Sequence, residues 1–549
     1  MMKFIKILVL IPVALIIFGC KPPVNDLQVK IRVNSIGYLT DGPKKATLLK
    51  TDASFSIIDI KTGKKVFRGN AEGPFSQSDF KDTVYIADFS ELQQEGTFYL
   101  QTKDKYRSVV FNISTNVYDS AFYNAMRGFY LWRCGTNVQT VYEGDTFRQK
   151  ACHTTDGNLK YTEFGDKHKD GTGGWHDAGD YGKYVVNAGI TTGLMFMAWD
   201  NFKEQLEDFS LDIPNTADGY PDFLKELKWE TDWLLKMQYP DNSGRISHKL
   251  TRTEFSEFIM PSEDTVQRYF TNWGSNATAN FVGIMAKAYR CFKPYDSVYA
   301  EVCLAAAKKS FNYLLKHPEY VKWSQKEFRT GAYSMPDTGS RLWATAEMWE
   351  VTGETKYLNL LEEKIKASTS KFDYNWDWED PKNLGFYTYL LSERPGKNPN
   401  VFKAVTDAMI LVADSIVEST QNDIYGRPLE KYFWGCNGSV VRLASNLYVA
   451  YYFTESEKYK TASREIISHI FGRNYYGRSY VTGLGIKPPM YPHDRRSGAD
   501  DIINPWPGYI VGGGHTSTDW RDIEASYQKN EIAINWQAGL VYVLAWCLE

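Results

Sequence analysis

Hydrophobic and polar residues change rhythm once along this chain. Up to about residue 114 the apolar positions come in short runs, at 31–34, 45–49, 55–58, 83–86, 97–100 and 107–113. Turn formers separate them, as in Asp41-Gly42-Pro43, Thr62-Gly63 and Glu95-Gly96. Short strands with regular turns over about 90 residues predict a small β-sandwich. Beyond Asn116 the apolar positions recur at helical spacing. Eleven helices are predicted, over 118–133, 185–204, 222–237, 277–292, 299–315, 340–352, 356–371, 402–418, 439–453, 458–471 and 531–548. That number suits a toroid or a stacked solenoid, and the lack of a fixed repeat of about 34 or 40 residues favours a closed toroid. Long connectors remain around 150–183, 240–275, 372–398 and 474–528, where a rigid scaffold usually carries its function.

Composition narrows the partner. In 549 residues, 63 Lys and Arg against 66 Asp and Glu leave a net charge of −3. That balance argues against nucleic acid or an anionic membrane surface as the main partner. The 37 Tyr, 30 Phe and 16 Trp make 15% of the chain. Most belong to a core, but the Trp content exceeds what packing requires, and aromatic faces commonly hold sugar rings.

The first twenty residues read as a leader. Lys3 and Lys6 precede an apolar run over 7–18, which is shorter than the roughly 20 residues a bilayer span needs. Ile17-Phe18-Gly19-Cys20 resembles a bacterial lipobox, with Cys20 the lipidated first residue; the alternative is an ordinary cleaved leader with an incidental Cys. The expected segments are a leader (1–20), a tether (21–27), the sandwich (28–114) and the helical domain (115–549). The mature chain is expected as a monomer, secreted and lipid-anchored to the outer membrane on its periplasmic or outer side, touching the membrane only through that lipid. Six further cysteines are too few for a disulfide framework, though one or two bridges would fit.

Candidate chemistry sits in the long connectors. Residues 171–184 form a glycine-rich, ring-flanked loop in which Asp177 and Asp180, three residues apart, can jointly hold a water molecule. Far along the chain, Trp520-Arg-Asp522 leads through Tyr527 to Glu531, at the predicted start of the last helix, with Trp536 just over one turn beyond. One acid that protonates a leaving oxygen and one carboxylate that activates water suffice to cut a glycosidic bond. Taken alone, loop aspartates are more often caps and turn formers.

These motifs resemble glycoside hydrolase family 9, the inverting cellulases. Gly174-Trp-His-Asp177-Ala-Gly-Asp180-Tyr-Gly-Lys-Tyr184 resembles the family's base motif. Residues 471–485 with Pro492-His493-Asp494-Arg495 resemble its histidine–arginine signature, and 520–533 its acid signature. The stretch Val33-Asn-Ser-Ile-Gly37-Tyr38 is similar to the branch with an N-terminal Ig-like domain. The resemblance covers nearly the whole mature chain. It implies a mainly α fold, an (α/α)6 toroid preceded by an Ig-like β-sandwich. It implies an inverting endo-β-1,4-glucanase acting on soluble or amorphous β-glucans such as cellulose chains, mixed-linkage glucan or xyloglucan. The alternatives are an exo-acting enzyme of the same family and a non-catalytic glycan-binding lipoprotein.

Carried over by residue, Asp180 is the expected general base, Asp177 its partner in holding water and Glu531 the general acid. His493, Arg495, Asp522, Trp175, Trp376 and Trp536 are expected to contact substrate, and Trp273, Trp378, Trp434 and Trp506 are further rings in or near the loops. Two positions depart from the family pattern: Gln537 replaces an Asn six residues after the acid, and Asp494 replaces a second His. Catalysis needs no cofactor on this reading. Cys134, Cys152, His153 and His176 form a candidate Cys₂His₂ set, and the resemblance implies structural zinc there; a Cys134–Cys152 disulfide is the alternative. Calcium, often bound by the family before a helix like 342–350, is left without a site, because residues 334–341 offer only Asp337.

Overall fold

The switch of rhythm near residue 116 is a switch of architecture. The computed structural model describes residues 30–214, 219–429 and 431–548; the leader and Cys20 lie outside the described residues. Two sheets face each other in the first part. One orders Ile31–Arg32, Lys45–Leu49, Val84–Asp88 and Glu72–Phe75; the other orders Gly37–Tyr38, Phe111–Ile113, Gly96–Thr102, Ser54–Asp59 and Lys65–Asn70. Alternate side chains fill the space between them: Phe98 and Leu100 are fully buried while Thr97 and Tyr99 turn outward. The strands absent from the sequence reading include Lys65–Asn70 and Glu72–Phe75, the edge strands of the two sheets. Neither contains a buried residue, so neither shows the alternation that marks a half-buried strand.

Twelve long helices build the second part. Six are buried almost all round: Val185–Asn201, Ser275–Phe292, Thr338–Thr352, Lys382–Leu391, Cys436–Thr454 and Ile534–Ala545. They alternate along the chain with six that cover them: Asp119–Leu131, Asp222–Lys236, Ser297–Lys316, Thr355–Ala367, Pro399–Asn422 and Glu457–Ile470. The covering helices bury one stripe, as Thr355–Ala367 does through Tyr357, Leu358, Leu361 and Ile365. Ile534–Ala545 packs on both Val185–Asn201 and Cys436–Thr454, which closes the inner ring. This is the (α/α)6 toroid.

The helix missing from the sequence reading is Lys382–Leu391, placed there in a connector. Every residue from Lys382 to Leu390 is buried, as in the other inner helices, but at 10 residues this is the shortest of the twelve, and so brief an apolar run is ambiguous by spacing alone. Its rings and Gly385 also lower helix propensity. Tyr184, Tyr333, Trp378, Trp434 and Glu531 all lie shortly before inner helices begin, so one end of the ring gathers the loops that line a cleft.

The sandwich is joined to the toroid by a built seam. Asn34 Nδ2 donates to the Tyr118 hydroxyl at 2.8 Å, and that hydroxyl donates to the Gly37 carbonyl at 2.9 Å. Gly37 has φ +136°, and a Cβ there would stand 2.2 Å from the Asn112 oxygen, which is why this turn requires glycine. Ser35 donates from both Oγ and backbone N–H to the Phe471 carbonyl. Leu49, Phe80 and Val84 of the sandwich share a small apolar cluster with Ile424 and Tyr425 of the toroid. Phe80→Ala removes the ring that meets Tyr425 edge-on at 5.0 Å, at an expected cost of about 3–5 kcal/mol. Calorimetry on that variant should resolve the sandwich as a separate, earlier transition; an unaltered profile would mean the seam does not couple the two parts.

Candidate active site

Residues 174–184 take their shape from what presses on them. Gly174 has φ +74°, and a Cβ there would stand 2.7 Å from Trp233 Cγ; one on Gly179 would stand 2.0 Å from the His493 carbonyl oxygen. The loop can therefore lie flat against both neighbours only with glycine at these positions. Asp177 N–H donates to the Gly182 carbonyl at 3.0 Å, closing the turn that holds Asp177 and Asp180. Ala178 bridges Ala533 in antiparallel fashion, and Ile534 N–H donates to the Asp177 carbonyl at 2.9 Å. Glu531, two residues before that bridge, is itself bridged to His493. Glu531 thus stands on an extended segment (ψ 158°) ahead of the last helix, which starts at Ile534; the predicted helical start at 531 is corrected. The bridges to residues 178, 493 and 511 hold this segment extended.

Asp177, Asp180 and Glu531 line one cleft of about 450 Å³. Asp180 Oδ2 accepts from Gly182 N–H and from the Tyr184 hydroxyl, each at 2.9 Å. Asp177 accepts from Asn187 Nδ2 at 2.8 Å on Oδ1 and from the Tyr333 hydroxyl at 2.7 Å on Oδ2. Burial, reinforced by the Asp180 charge, pushes the Asp177 carboxyl up to about 8. Burial also holds Glu531 well above the usual carboxylate range, with Asp180 and Asp177 adding to the effect and Arg495 opposing it. Asp177 and Glu531 are thus both raised above the ordinary carboxylate range beside Asp180.

The cleft also carries rings: Phe255, Tyr333, Trp378, Phe433, Trp434 and Trp536. Trp536, an expected substrate contact, lines the cleft, and so do Trp378 and Trp434 from the further loop rings. Trp175 does not. It is 1% exposed, tilted against Phe129 at 4.7 Å, and its Nε1–H donates to Glu226 at 2.8 Å, so it belongs to the core. Trp376 is likewise buried, edge-on to Tyr387 at 5.7 Å, and its neighbours Asp377 and Trp378 take the cleft position instead. Asp522 is not a substrate contact either: its carboxylate accepts from Arg478 Nη2 at 2.8 Å and from the Met490 and Tyr491 N–H groups, tying two connectors together.

His493 and Arg495 flank the cleft without lining it. His493 Nδ1 lies 2.8 Å from the Glu524 carbonyl, and its ring is edge-on to Phe258 at 5.2 Å. Arg495 is buried and donates from Nε to the Ser256 carbonyl and from Nη1 to the Gly179 carbonyl, so its contacts brace the base loop. The two departures from the family pattern face inward. Asp494 pairs with Arg496 at 3.0 Å, both 1% exposed, and Gln537 Nε2 donates to the Ala125 and Gly508 carbonyls at 2.7 Å. Sequence reasoning gave no role to Tyr333, Asn187, Asp377 and Glu379; Asn187 lies in an inner helix and Tyr333 in a loop, while Asp377 and Glu379 belong to the acidic run 377–380.

Cys134, Cys152, His153 and His176 converge behind the base loop, all buried, their donor atoms within 4.8 Å of one another. Cys134 Sγ is 3.7 Å from His153 Nδ1, and Cys152 Sγ is 3.8 Å from His176 Nε2. A tetrahedral zinc with bonds of about 2.3 Å to sulfur and 2.0 Å to nitrogen spaces such atoms by about 3.6 Å, so the donor set fits. Asp264 lies 3.5 Å from His153 Nε2 and is held by Arg252 at 2.6 Å, the outer carboxylate that commonly fixes a ligating imidazole. Both cysteines are free thiols, which disfavours the disulfide alternative.

Comparison with known proteins agrees with this geometry. Residues 118–544 match glycosyl hydrolase family 9, and residues 26–107 match the cellulase N-terminal ig-like domain. Endoglucanase D of Acetivibrio thermocellus is 51% identical over 519 residues, 94% of this chain and 83% of that protein. A xyloglucan-specific endo-beta-1,4-glucanase of Bacteroides ovatus is 30% identical, covering 93% of this chain and 92% of its own. Among solved structures, a Zn-binding triple mutant of the family 9 endoglucanase J30 aligns with a TM-score of 0.86 at 29% identity, covering 93% of this chain and 99% of that one. The chain belongs to glycosyl hydrolase family 9, its (α/α)6 toroid preceded by that family's Ig-like domain.

Proposed function

We propose that this protein is an inverting endo-β-1,4-glucanase of soluble or amorphous β-glucans, with Asp180 as base and Glu531 as acid. The observation that carries the assignment is the unequal surroundings of the carboxyls in one cleft. Burial holds the Glu531 carboxyl well above the usual range, whereas Asp180 accepts two hydrogen bonds on Oδ2 and keeps Oδ1 for a water proton. Asp177, pinned by Asn187 and Tyr333, positions that water from the other side. In the reaction, water adds to the anomeric carbon as its proton passes to Asp180, and the leaving oxygen takes the Glu531 proton. His493 offers its Nε2 to sugar hydroxyls, and Trp378, Trp434 and Trp536 offer ring faces. The exposed rings Phe255 and Trp434 at the cleft rim, and the 51% identity to an endoglucanase, support internal cleavage of a polymer. The leader ending at Cys20 supports secretion and attachment through lipid.

Three measurements test this reading. Viscosity against reducing ends released from mixed-linkage glucan and xyloglucan should fall steeply for few ends; many ends with little viscosity loss would mean exo-cleavage. Glu531→Gln should lower turnover of polysaccharide by about 10³-fold, but much less on an aryl cellobioside whose leaving group needs no proton, while Asp180→Asn should lose as much on both. Near-wild-type turnover in either would overturn the roles. The pH dependence has a fixed sign. Glu531 must carry a proton, so turnover falls as pH rises through its raised pKa, and Asp180→Asn, which removes a neighbouring negative charge, should move the alkaline limb of the residual activity to lower pH.

The Cys₂His₂ set is proposed to hold one structural zinc. Cys134, Cys152, His153 and His176 would be its ligands, fastening the end of helix Asp119–Leu131 to the base loop; zinc would supply rigidity there and no chemistry. Metal analysis after chelator-free purification should find about one zinc per chain, and Cys152→Ser should lose it together with thermal stability. Less than about a tenth of an equivalent in the native protein would overturn the site.

A further inference from the structure

Lys249 is a buried cation for which the proposed chemistry has no use. It is fully buried, on a strand (Lys249–Thr251) that pairs with Lys183–Tyr184 where the base loop ends. The other deeply buried lysines of the toroid have carboxylate partners: Lys183 lies 3.4 Å from Asp156, and Lys287 lies 3.1 Å from Asp200. Lys249 has none among the described residues. Its Nζ donates to Gln325 Oε1 at 3.0 Å, Thr330 Oγ1 at 2.9 Å and the Gly331 carbonyl at 2.8 Å, under the Trp323 ring at 4.5 Å. An uncompensated ammonium in such a place is costly to bury.

Its bonds lead to the base. Gly331, whose carbonyl Lys249 holds, donates its N–H to the Tyr184 oxygen at 3.2 Å, and the Thr330 carbonyl of that same peptide unit lies 3.4 Å from the Lys249 ammonium. With that oxygen occupied as acceptor, the single Tyr184 proton goes to Asp180 Oδ2 at 2.9 Å. Two residues on, Tyr333 on the same segment donates to Asp177. We propose that Lys249 is a positioning residue for catalysis: through the Thr330–Gly331 backbone and the Tyr184 hydroxyl it fixes the donor on Asp180 Oδ2, and its charge favours the ionised base. The proposal rests on Asp180 being the base.

The surroundings support an electrostatic share in that role. Burial lowers the Lys249 ammonium to about 7, and Asp180 is the acid whose charge opposes that fall. Lys249 is therefore charged at acidic pH and loses its charge as pH rises through about 7. The ring of Tyr184 on the paired strand, and Trp323 and Phe328 on the covering segment, face the ammonium without charge. Asp180 in turn meets Asp177, Glu531, Tyr184, Tyr333 and His493.

The test compares Lys249→Gln, Lys249→Arg and Tyr184→Phe with wild type on a soluble β-glucan, as kcat, KM and the pH profile of kcat/KM. Lys249→Gln should lose about tenfold or more in kcat with KM within about twofold, and its acid limb should move up by about one pH unit. Lys249→Arg should keep kcat within about threefold of wild type and leave the limb in place, which a purely structural lysine does not predict. Tyr184→Phe should shift the acid limb in the same direction, which keeps the proposal testable if Lys249→Gln fails to fold. Wild-type kcat in Lys249→Gln, or an unmoved acid limb in Tyr184→Phe, overturns the relay. Asp180→Asn separates the two ideas: if that variant is inactive while the limb stays put, the relay fails and the base assignment stands.

Discussion

The site depends on a backbone contact before it depends on any side chain. Asp177 and Asp180 lie more than 350 residues from Glu531 in sequence, yet Ala178 bridges Ala533 and Ile534 N–H bonds to the Asp177 carbonyl. A third strand, through His493, lies beside Glu531 and presses on Gly179 so closely that no side chain fits between. These peptide bonds set the spacing of acid and base more rigidly than side-chain packing can, because backbone groups have few torsions left to lose once paired. Arg495 completes the clamp, since its guanidinium and its own N–H both bond the Gly179 carbonyl.

That placement has an electrostatic cost. Three carboxyls in one cleft cannot all ionise cheaply, and burial makes it harder. The cleft answers by raising the Glu531 and Asp177 carboxyls above the usual range and by giving Asp177 and Asp180 donors that differ in kind. Asp177 receives an amide and a phenol; Asp180 receives a backbone N–H and a phenol. Cations are kept one layer back. Arg495 bonds carbonyls, and Lys249 bonds Gln325, Thr330 and Gly331, so neither neutralises the base by direct contact. A direct ion pair to Asp180 would occupy the oxygen that must take the water proton.

Much of this was legible in the sequence, and what was not has identifiable reasons. Long runs at helical spacing advertise themselves, so five of the six inner helices and all the outer ones were found, while Lys382–Leu391, the shortest of the twelve at 10 residues, gave too brief a run. The base and acid motifs were readable because glycines and carboxylates cluster where chain approaches chain. The rings were not readable in the same way. Trp175 and Trp376 sit within a residue or two of site residues, but each inner-helix loop must turn some rings into the core and some toward the cleft, and adjacent positions point in opposite senses. Trp376 and Trp378 show this directly: the first packs on Tyr387, the second meets Tyr333 in the cleft. Tyr333, Asn187 and Lys249 were invisible because their chemistry arises only from contacts across the fold.

The family signature over 471–485 gains a different meaning from the structure. Phe471 accepts two hydrogen bonds from Ser35, Arg473 accompanies Glu465 beside the sandwich and donates to Thr47, and Ile486 N–H donates to Ser35. The segment that leads to His493 is therefore anchored on the Ig-like domain. Behind the base loop, His176 directly precedes Asp177, and Cys134 N–H bonds the Gly174 carbonyl, so the Cys₂His₂ cluster grips the other side of the same loop. The base loop is thus held from two directions, by the buried cluster and by a segment that the sandwich steadies. The sandwich supplies no residue to the lining of the cleft and reaches it only through the segment it steadies, so a loop pressed flat between two supports has little freedom to drift from Glu531.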